Sequence, residues 1–235
     1  MFDVFVFFIG YAMRPKSYSN LLQSVASYVE GLLKIEDCSD LKLALQIAKK
    51  RGTPPLQVIP TDGRCLEILA RSVQAKKIVE IGTLCGYSAI FLAKALPANG
   101  KLYTFEQSEH HAQVAGEVFA ELNLSSKIEI VFGKALETLP SINSKGPFDL
   151  IFIDADKANY PNYFDWAIEN LRSGGLLLAD NVFVFGYIGE QDLPNGDLAN
   201  LVLAMREFNK KCVEDERLVT TFLPTGEGMM VAIKK

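Results

Sequence analysis

The segment that most constrains the fold lies at residues 77–88, where a short apolar run is followed by a glycine turn and a helix. The run at residues 78–81 is typical of a strand buried on both faces. Gly82 and Gly86 interrupt it, and Ser88 opens an apolar helical stretch. Such a turn lets a ligand approach the backbone closely, near the free N–H groups of the first helical turn. The segment therefore predicts a ligand site at a strand end.

An acid in this segment changes the expected ligand. Glu80 lies two residues before Gly82, which gives the pattern E-x-G-x-x-x-G instead of the G-x-G-x-x-G of dinucleotide sites. A carboxylate there repels phosphate and attracts a cationic amine or sulfonium. The motif resembles the first motif of the class I methyltransferases, which bind S-adenosylmethionine (SAM). An ordinary glycine turn after a core strand is the alternative.

Composition narrows the class of protein. The chain has 235 residues, 49% hydrophobic and 22% charged, which predicts one domain with a large core and a helical extension. A net charge of −4 without a basic run disfavours nucleic-acid binding. The four cysteines lack metal-site spacing, and His110 and His111 diverge on a helix, so a zinc site is not expected. Reduced thiols and a cytoplasmic location are the expectation.

The apolar segment at residues 2–11 has two interpretations. About ten residues are too few to cross a bilayer, and no basic region precedes them as in a signal peptide, so no membrane partner is expected. Met13 would be the true start if the first twelve residues were a mis-called extension. Otherwise the segment is an apolar arm that packs on a partner subunit.

Helical spacing of apolar residues runs over residues 18–50, with a break at residues 37–40, and Gly52 with the prolines after it ends this part. We therefore predict a first unit at residues 1–50, an apolar segment plus helical extension. The resemblance of the first motif implies that residues 51–235 form a SAM-dependent methyltransferase domain. Another helix is expected to be capped at residues 61–63. Its predicted inner face consists of Leu66, Ile68, Leu69 and Val73.

From residue 77 onward, strand and helix patterns alternate, which predicts a doubly wound parallel sheet. After the first strand, further strands are predicted at residues 101–106, 127–132, 148–154, 175–179, 219–223 and 229–233. Between them, helices are predicted at residues 89–96, 108–122, 160–171 and 197–212. The last two strands form a hairpin around residues 225–228. The fold class is thus an α/β, Rossmann-like, seven-stranded sheet with an antiparallel C-terminal strand, preceded by helices.

Four of the predicted parallel strands end in acids, namely Glu80, Glu106, Asp154 and Asp180. Ligands bind at this edge of such sheets, so the four acids predict a shared crevice. Glu106 ends the second strand, where an acid accepts hydrogen bonds from ribose hydroxyls. The backbone around Ala135 suits an adenine edge.

The segment from Asp154 through Asp156 and Lys157, together with Asp180 and Asn181 on the next strand, is the sharpest motif. Carboxylate and amide oxygens suit Mg²⁺, Mn²⁺ or Ca²⁺. The alternative is a surface pair of Asp156 with Lys157 and a simple turn at Asp180. Adjacent strand ends beside the cofactor crevice favour the metal site.

At these residues the chain, from about residue 55 to the C-terminus, resembles the cation-dependent O-methyltransferases of the caffeoyl-CoA and catechol type. The resemblance implies a metal held by Asp154, Asp180 and Asn181, Lys157 as general base with Asp154 beside it, and a homodimer. It also implies that SAM is contacted by Val58, Glu80, Gly82, Thr83, Ser88, Glu106, Ala135 and Asp154. We add Asp156 as a candidate SAM contact, because it could bind the methionine ammonium.

The resulting prediction is a SAM-dependent, divalent-metal-dependent O-methyltransferase of a catechol-like small molecule, with Mg²⁺ as the first candidate ion. The alternatives are a non-catalytic SAM-binding module, which would have no use for Lys157, and a metal-independent methyltransferase of another acceptor. A nicotinamide oxidoreductase is disfavoured by the glycine spacing.

One departure from the family pattern bears on the acceptor. After Asn181 such enzymes commonly carry tryptophan, a small or polar residue and glycine, whereas this chain has an apolar run that ends with Phe185 and Gly186. Phe185 therefore predicts a more apolar acceptor.

Overall fold

The computed structural model describes residues 18–225 and 227–235. Three helices precede the sheet: α1 (Tyr18–Leu33), α2 (Ser39–Lys50) and α3 (Pro60–Ser72). The helical pattern and its break are thereby confirmed, with a 3₁₀ turn at Ile35–Asp37 in the break. The apolar segment at residues 2–11 lies outside the described residues.

The chain divides into two compact units between Cys38 and Ser39. Helix α1 belongs to the first unit, and α2 belongs to the second unit together with the sheet. The boundary after residue 50 stays a prediction. Among the described residues, no helix combines the length and the apolar character that crossing a membrane would require.

In the described part of the chain, seven strands form one sheet in the order β3-β2-β1-β4-β5-β7-β6. The strands are β1 (Lys77–Ile81), β2 (Lys101–Glu106), β3 (Ile128–Phe132), β4 (Phe148–Ile153), β5 (Leu171–Ala179), β6 (Leu218–Leu223) and β7 (Met229–Lys234). Strands β1 to β5 pair in parallel, and β7 is antiparallel to both β5 and β6. The predicted sheet class is confirmed.

Helices connect the strands as the alternation predicts. They are α4 (Tyr87–Ala95), α5 (Glu109–Glu121), the short α6 (Ala135–Thr138), α7 (Tyr160–Asn170) and α8 (Asp197–Glu214). Strand β5 begins at Leu171, four residues earlier than predicted. Its pairing with β4 shifts between Phe148 and Leu150, an irregularity that the glycines of β5 at Gly174 and Gly175 accommodate.

The predicted inner face of α3 is wrong at one position. Ile68 is 58% exposed, whereas Gly63, Leu66 and Ala70 are buried. The cause is a close approach: a Cβ on Gly63 would lie 2.4 Å from the Phe91 ring, so the helix turns its glycine side toward α4. The predicted cap is also wrong, because α3 begins at Pro60 after Ile59, which makes no side-chain capping bond.

A large apolar core lies on one face of the sheet. Alternate residues of the central strands, such as Ile81 and Ile153, pack in it against α7 and α8. The ring of Phe208 on α8 meets Tyr160 edge-on at 5.2 Å and Phe164 at 6.3 Å between ring centres. This packing holds the start of α7 directly after the carboxyl end of β4.

Truncating the aromatic contact should therefore destabilise the whole domain. Phe208→Ala removes a fully buried ring, and we expect the free energy of unfolding to fall by about 3–5 kcal/mol. Leu203→Ala, on the same helix at a site that is 49% exposed, should change it by less than about 0.5 kcal/mol. Urea unfolding followed by circular dichroism measures both, and equal losses in the two variants would contradict the packing described.

Candidate active site

A cavity of about 590 Å³ opens at the carboxyl ends of the parallel strands. Its volume is in the range of small-molecule and cofactor sites. The loops that follow β1, β2, β3, β4 and β5 all contribute to its lining. Because strands of parallel sheets present their carboxyl ends at one edge, residues far apart in sequence meet here.

The glycine turn after β1 forms the floor of the cavity. Gly82 has a φ of 101°, and a Cβ on it would lie 2.0 Å from the carbonyl oxygen of Asp154, so only glycine fits between the two strand ends. Gly86 has a φ of 80°, and a Cβ there would lie 2.4 Å from the Phe119 ring. The backbone of this turn therefore lies open to a ligand, as its sequence predicts.

Glu80 lies behind the cavity. Its side chain is fully buried and does not line the cavity. One carboxylate oxygen accepts a hydrogen bond from Ser88 Oγ at 2.6 Å and the other accepts one from Thr104 Oγ1 at 2.5 Å. Burial raises the pKa of Glu80 to about 7. Ser88 lines the cavity, and so does Thr83, whose hydroxyl lies 2.6 Å from that of Thr104. Glu80 is therefore linked to the cavity through hydroxyl groups, and its direct contact with SAM stays a prediction.

Glu106 is held in the cavity by the backbone. Its two oxygens accept hydrogen bonds from the N–H groups of Leu84 at 2.9 Å and Ser108 at 2.8 Å. His111 Nδ1 lies 3.8 Å from the same carboxylate. A carboxylate has about four acceptor positions, so Glu106 keeps capacity for two neighbouring hydroxyls of a ribose.

Lys157 sits between two oxygen partners at the end of β4. Its Nζ lies 3.1 Å from Asp154 Oδ1 and donates at 2.6 Å to Tyr160 Oη. The Tyr160 hydroxyl lies 3.0 Å from the carbonyl oxygen of Asp180 and is completely buried. Burial, followed by the negative charges of Asp154 and Asp180, raises the pKa of Tyr160 well above its ordinary value. The phenol therefore stays protonated and fixes the amine.

Asp156 lies at the rim of the cavity. It accepts a hydrogen bond of 2.5 Å from the Tyr163 hydroxyl and another from the Asn159 amide. Burial and the bond to Asp156 raise the pKa of Tyr163, which keeps that hydroxyl a donor. Asp156 is thus oriented by α7, and it is exposed enough to meet a cation.

Asp180 and Asn181 follow β5 beside Asp154. Ile153 pairs with Ala179 in the sheet, so Asp154 and Asp180 directly follow paired residues. Burial, with the charge of Asp154 next, raises the pKa of Asp180 to about 7. Asn181 has a φ of 56° and lines the cavity, whereas Asp180 lies just beneath the lining and is 3% exposed.

These donors fit a divalent ion by their chemistry. Two carboxylates and one amide supply hard oxygen atoms, and a cation would relieve the repulsion between Asp154 and Asp180. In residues 18–225 and 227–235, no three histidine, cysteine or acidic side chains form a metal-binding group. A metal held by Asp154, Asp180 and the Asn181 amide stays a prediction.

The structure brings most of the predicted site residues into one cavity. Those that line it are Val58, Gly82, Thr83, Ser88, Glu106, Ala135, Asp154, Asp156, Lys157 and Asn181. Glu80 and Asp180 lie behind the lining. Sequence reasoning assigned no role to Tyr160, Tyr163 or Thr104; the three-residue spacing of Tyr160 from Lys157 is the signal that places it on the same face of the helical segment.

The fold and the cavity define a transferase of the class I methyltransferase architecture. The O-methyltransferase family profile matches residues 35–235, and the chain belongs to that family. A catechol O-methyltransferase from Niastella koreensis is 38% identical over 92% of this chain and 99% of its own length.

Solved structures agree with this assignment. An O-methyltransferase from Bacillus cereus in complex with SAH is 36% identical, with a TM-score of 0.81 over 90% of this chain and 97% of that chain. An O-methyltransferase from Streptomyces achromogenes, involved in tomaymycin synthesis and in complex with SAM, is 33% identical, with a TM-score of 0.81 over 90% of this chain and 96% of that chain. This chain is a SAM-dependent O-methyltransferase.

The buried acid behind the cavity should give the fold a measurable pH dependence. Burial raises the pKa of folded Glu80 from 4.5 to about 7, so the folded state keeps a proton that the unfolded state loses between these values. This contribution to stability is therefore present at low pH and lost as pH rises toward 7. Glu80→Gln has no carboxyl group to titrate at this position, so it does not lose this contribution. The free energy of unfolding of Glu80→Gln minus that of wild type should therefore increase as pH rises across this window, by up to about 1.4 kcal/mol per pH unit.

Urea unfolding at a series of pH values from about 5 to 8 measures the difference between Glu80→Gln and wild type. Glu137→Gln, at an exposed side chain, is the matched control and should run parallel to wild type. A constant offset for Glu80→Gln across the series would show that Glu80 does not titrate in this range.

Proposed function

We propose that this enzyme methylates one hydroxyl of a catechol-like aromatic diol, with a divalent cation at Asp154, Asp180 and Asn181 and with Lys157 as the general base. The observation that carries the proposal is the Lys157 amine. It is held 3.1 Å from Asp154 and 2.6 Å from the Tyr160 hydroxyl, and both Asp154 and Lys157 line the cavity beside Asn181. The homodimer and the cytoplasmic location stay predictions.

The oxygen donors at the ends of β4 and β5 support the metal part of the proposal. A divalent ion bound by Asp154, Asp180 and Asn181 would lower the pKa of a hydroxyl that it coordinates. Two neighbouring hydroxyls form a five-membered chelate with such an ion, which favours a vicinal diol over a simple phenol. The name of the Niastella koreensis relative, a catechol O-methyltransferase, agrees with this acceptor class.

The side chains around the cavity then have separate tasks. Lys157 accepts the proton of the attacking hydroxyl at Nζ, and the Asp154 carboxylate stabilises the ammonium that results. The Tyr160 hydroxyl donates a hydrogen bond to the Asp180 carbonyl and accepts one from Lys157 Nζ, and so it restricts the position of the amine. Glu106 holds the ribose end of SAM, whose sulfonium supplies the methyl group. With both reactants oriented, positioning provides much of the rate.

The test of this function is methyl transfer from SAM to a panel of catechols, including caffeic acid and dihydroxybenzaldehyde. We expect turnover with Mg²⁺, loss of turnover with EDTA and its return when Mg²⁺ is added back. Lys157→Ala should lower kcat roughly 100-fold or more, the usual scale of general-base catalysis. Lys210→Ala, at a side chain that is 70% exposed on α8, is the matched control and should keep wild-type turnover.

Each part of the proposal, namely the metal, the base and the acceptor class, has a result that would overturn it. Turnover that persists in EDTA would overturn the metal site and favour a metal-independent methyltransferase. Wild-type rates in Lys157→Ala would overturn the assignment of the base. Binding of SAM by calorimetry without turnover of any catechol would overturn the acceptor class.

Apolar side chains around the acceptor end of the cavity support a catechol with an apolar substituent. Phe185 and Leu56 line the cavity and are 75% and 73% exposed, and Val184 and Leu201 line it as well. Lys157 is the one lysine or arginine among the described lining residues, and it is paired with Asp154. Among the described residues, no unpaired lysine or arginine is therefore available at the acceptor end to bind an anionic substituent of the acceptor.

Replacing the exposed ring should change acceptor preference. We expect Phe185→Asn to lower kcat/KM for 4-methylcatechol relative to 3,4-dihydroxybenzoate by roughly 10-fold, the lower end of what apolar pocket contacts discriminate. Phe185→Leu keeps an apolar side chain and should keep most of the preference. An unchanged ratio in Phe185→Asn would show that the ring does not contact the acceptor.

A further inference from the structure

The segment after β5 adopts a backbone conformation that is energetically unfavourable for its residue types. Residues 182–188, which we call the acceptor wall, contain Val184 with a φ of 47° and Phe185 with a φ of 54°. Left-handed backbone is uncommon for residues other than glycine and is an outlier for a β-branched one such as valine. Such a conformation persists only where the surroundings impose it.

One element that imposes it is the turn between β6 and β7. The N–H of Val182 donates to the carbonyl oxygen of Gly228 at 3.1 Å, and the N–H of Phe183 donates to that of Glu227 at 3.0 Å. A Cβ on Gly228 would lie 2.3 Å from the Phe183 ring, so the turn needs glycine to approach this closely. The hairpin turn is thus docked on the start of the acceptor wall.

Helix α8 holds the two ends of the same segment. The Asn209 amide donates to the carbonyl oxygen of Val182 at 3.1 Å, and Arg206 Nε donates to that of Ile188 at 3.2 Å. These bonds fix where the acceptor wall begins and ends. They do not reach Phe185, whose ring is mostly exposed and so gains little from packing.

The middle of the acceptor wall is tied by a carboxylate. Glu227 Oε2 accepts a hydrogen bond of 2.9 Å from the backbone N–H of Phe185. Glu227 also lines the cavity, together with Val184 and Phe185. A bond from an N–H to a carboxylate is stronger than one to a neutral acceptor, so this single side chain can hold the strained backbone at Phe185.

We propose that Glu227 is a positioning residue for the acceptor: its carboxylate fixes the backbone at Phe185 and thereby the shape of the acceptor wall. The role of the wall in acceptor binding rests on the proposed function. Glu227 acts through Phe185 and takes no part in proton transfer. Its effect should therefore fall on acceptor binding and leave the cofactor end of the cavity unchanged, since Glu106 is held by other elements.

Kinetics on the full chain test this role. With 4-methylcatechol as the probe, we expect Glu227→Ala to raise the acceptor KM roughly 10-fold to 100-fold, the loss expected for a hydrogen bond to a charged group, with kcat within about twofold of wild type. Glu227→Gln keeps a neutral acceptor oxygen for the same N–H and should recover part of the loss, with a KM between those of Glu227→Ala and wild type. The affinity for SAH, measured by calorimetry, should not change in either variant.

A second measurement needs no turnover. Hydrogen–deuterium exchange of the peptide that covers residues 182–188 should be faster in Glu227→Ala than in wild type, with Glu227→Gln between the two. Glu190→Ala is the matched control: it removes a nearby exposed carboxylate and should leave both exchange and KM unchanged.

The outcomes distinguish this proposal from the proposed function. A KM of Glu227→Ala within twofold of wild type, or an equal loss of SAH affinity, would overturn the positioning role. Exchange that Glu227→Ala does not change would overturn it as well, even if no catechol were turned over. Faster exchange without turnover of any catechol would support the backbone restraint and overturn only the acceptor class.

Discussion

The contact between the ends of β1 and β4 sets the geometry of the whole site. Gly82 lies so close to the Asp154 carbonyl that no side chain fits, and the Asp154 N–H donates to the Ile81 carbonyl at 2.8 Å. The Asp180 N–H continues the same pattern, with a bond of 3.0 Å to the Ile153 carbonyl. The ladder of hydrogen bonds therefore extends one residue past each strand, and the acids begin where the backbone is still rigid.

At this rigid edge of the sheet, some carboxylates line the cavity and others are buried behind its lining. Glu106 and Asp154 face the cavity, while Glu80 and Asp180 lie behind it, where burial raises the pKa of each to about 7. Keeping such acids costs stability unless hydrogen bonds or cations compensate. Glu80 is compensated by the hydroxyls of Ser88 and Thr104, whereas Asp154 is paired with the Lys157 amine and Asp180 accepts a hydrogen bond of 2.7 Å from the Asn181 N–H.

The sequence predicted the strand ends better than the direction of their side chains. Alternation of strand and helix patterns was enough to place Glu80, Glu106, Asp154 and Asp180 at one edge, because parallel strands must end together. Whether an acid faces the cavity depends on the strand face and on the neighbouring element, so Glu80 points toward Ser88 of α4 and leaves the cavity to Thr83. Ile68 shows the same limit on a helix, since the approach of Gly63 to Phe91 sets the rotation of α3.

Backbone hydrogen bonds hold one end of the cavity, and side-chain hydrogen bonds hold the other. At the cofactor end, Glu106 is fixed by backbone N–H groups of the β1 and β2 loops, which substitutions of side chains leave in place. At the acceptor end, a strained segment depends on the side chains of Glu227, Asn209 and Arg206, from the hairpin turn and from α8. Under the proposed function, changes at these side chains would alter acceptor binding and leave the backbone around Glu106 in place. Under the proposed function, affinity for the methyl donor and choice of acceptor would therefore be separable properties of this chain.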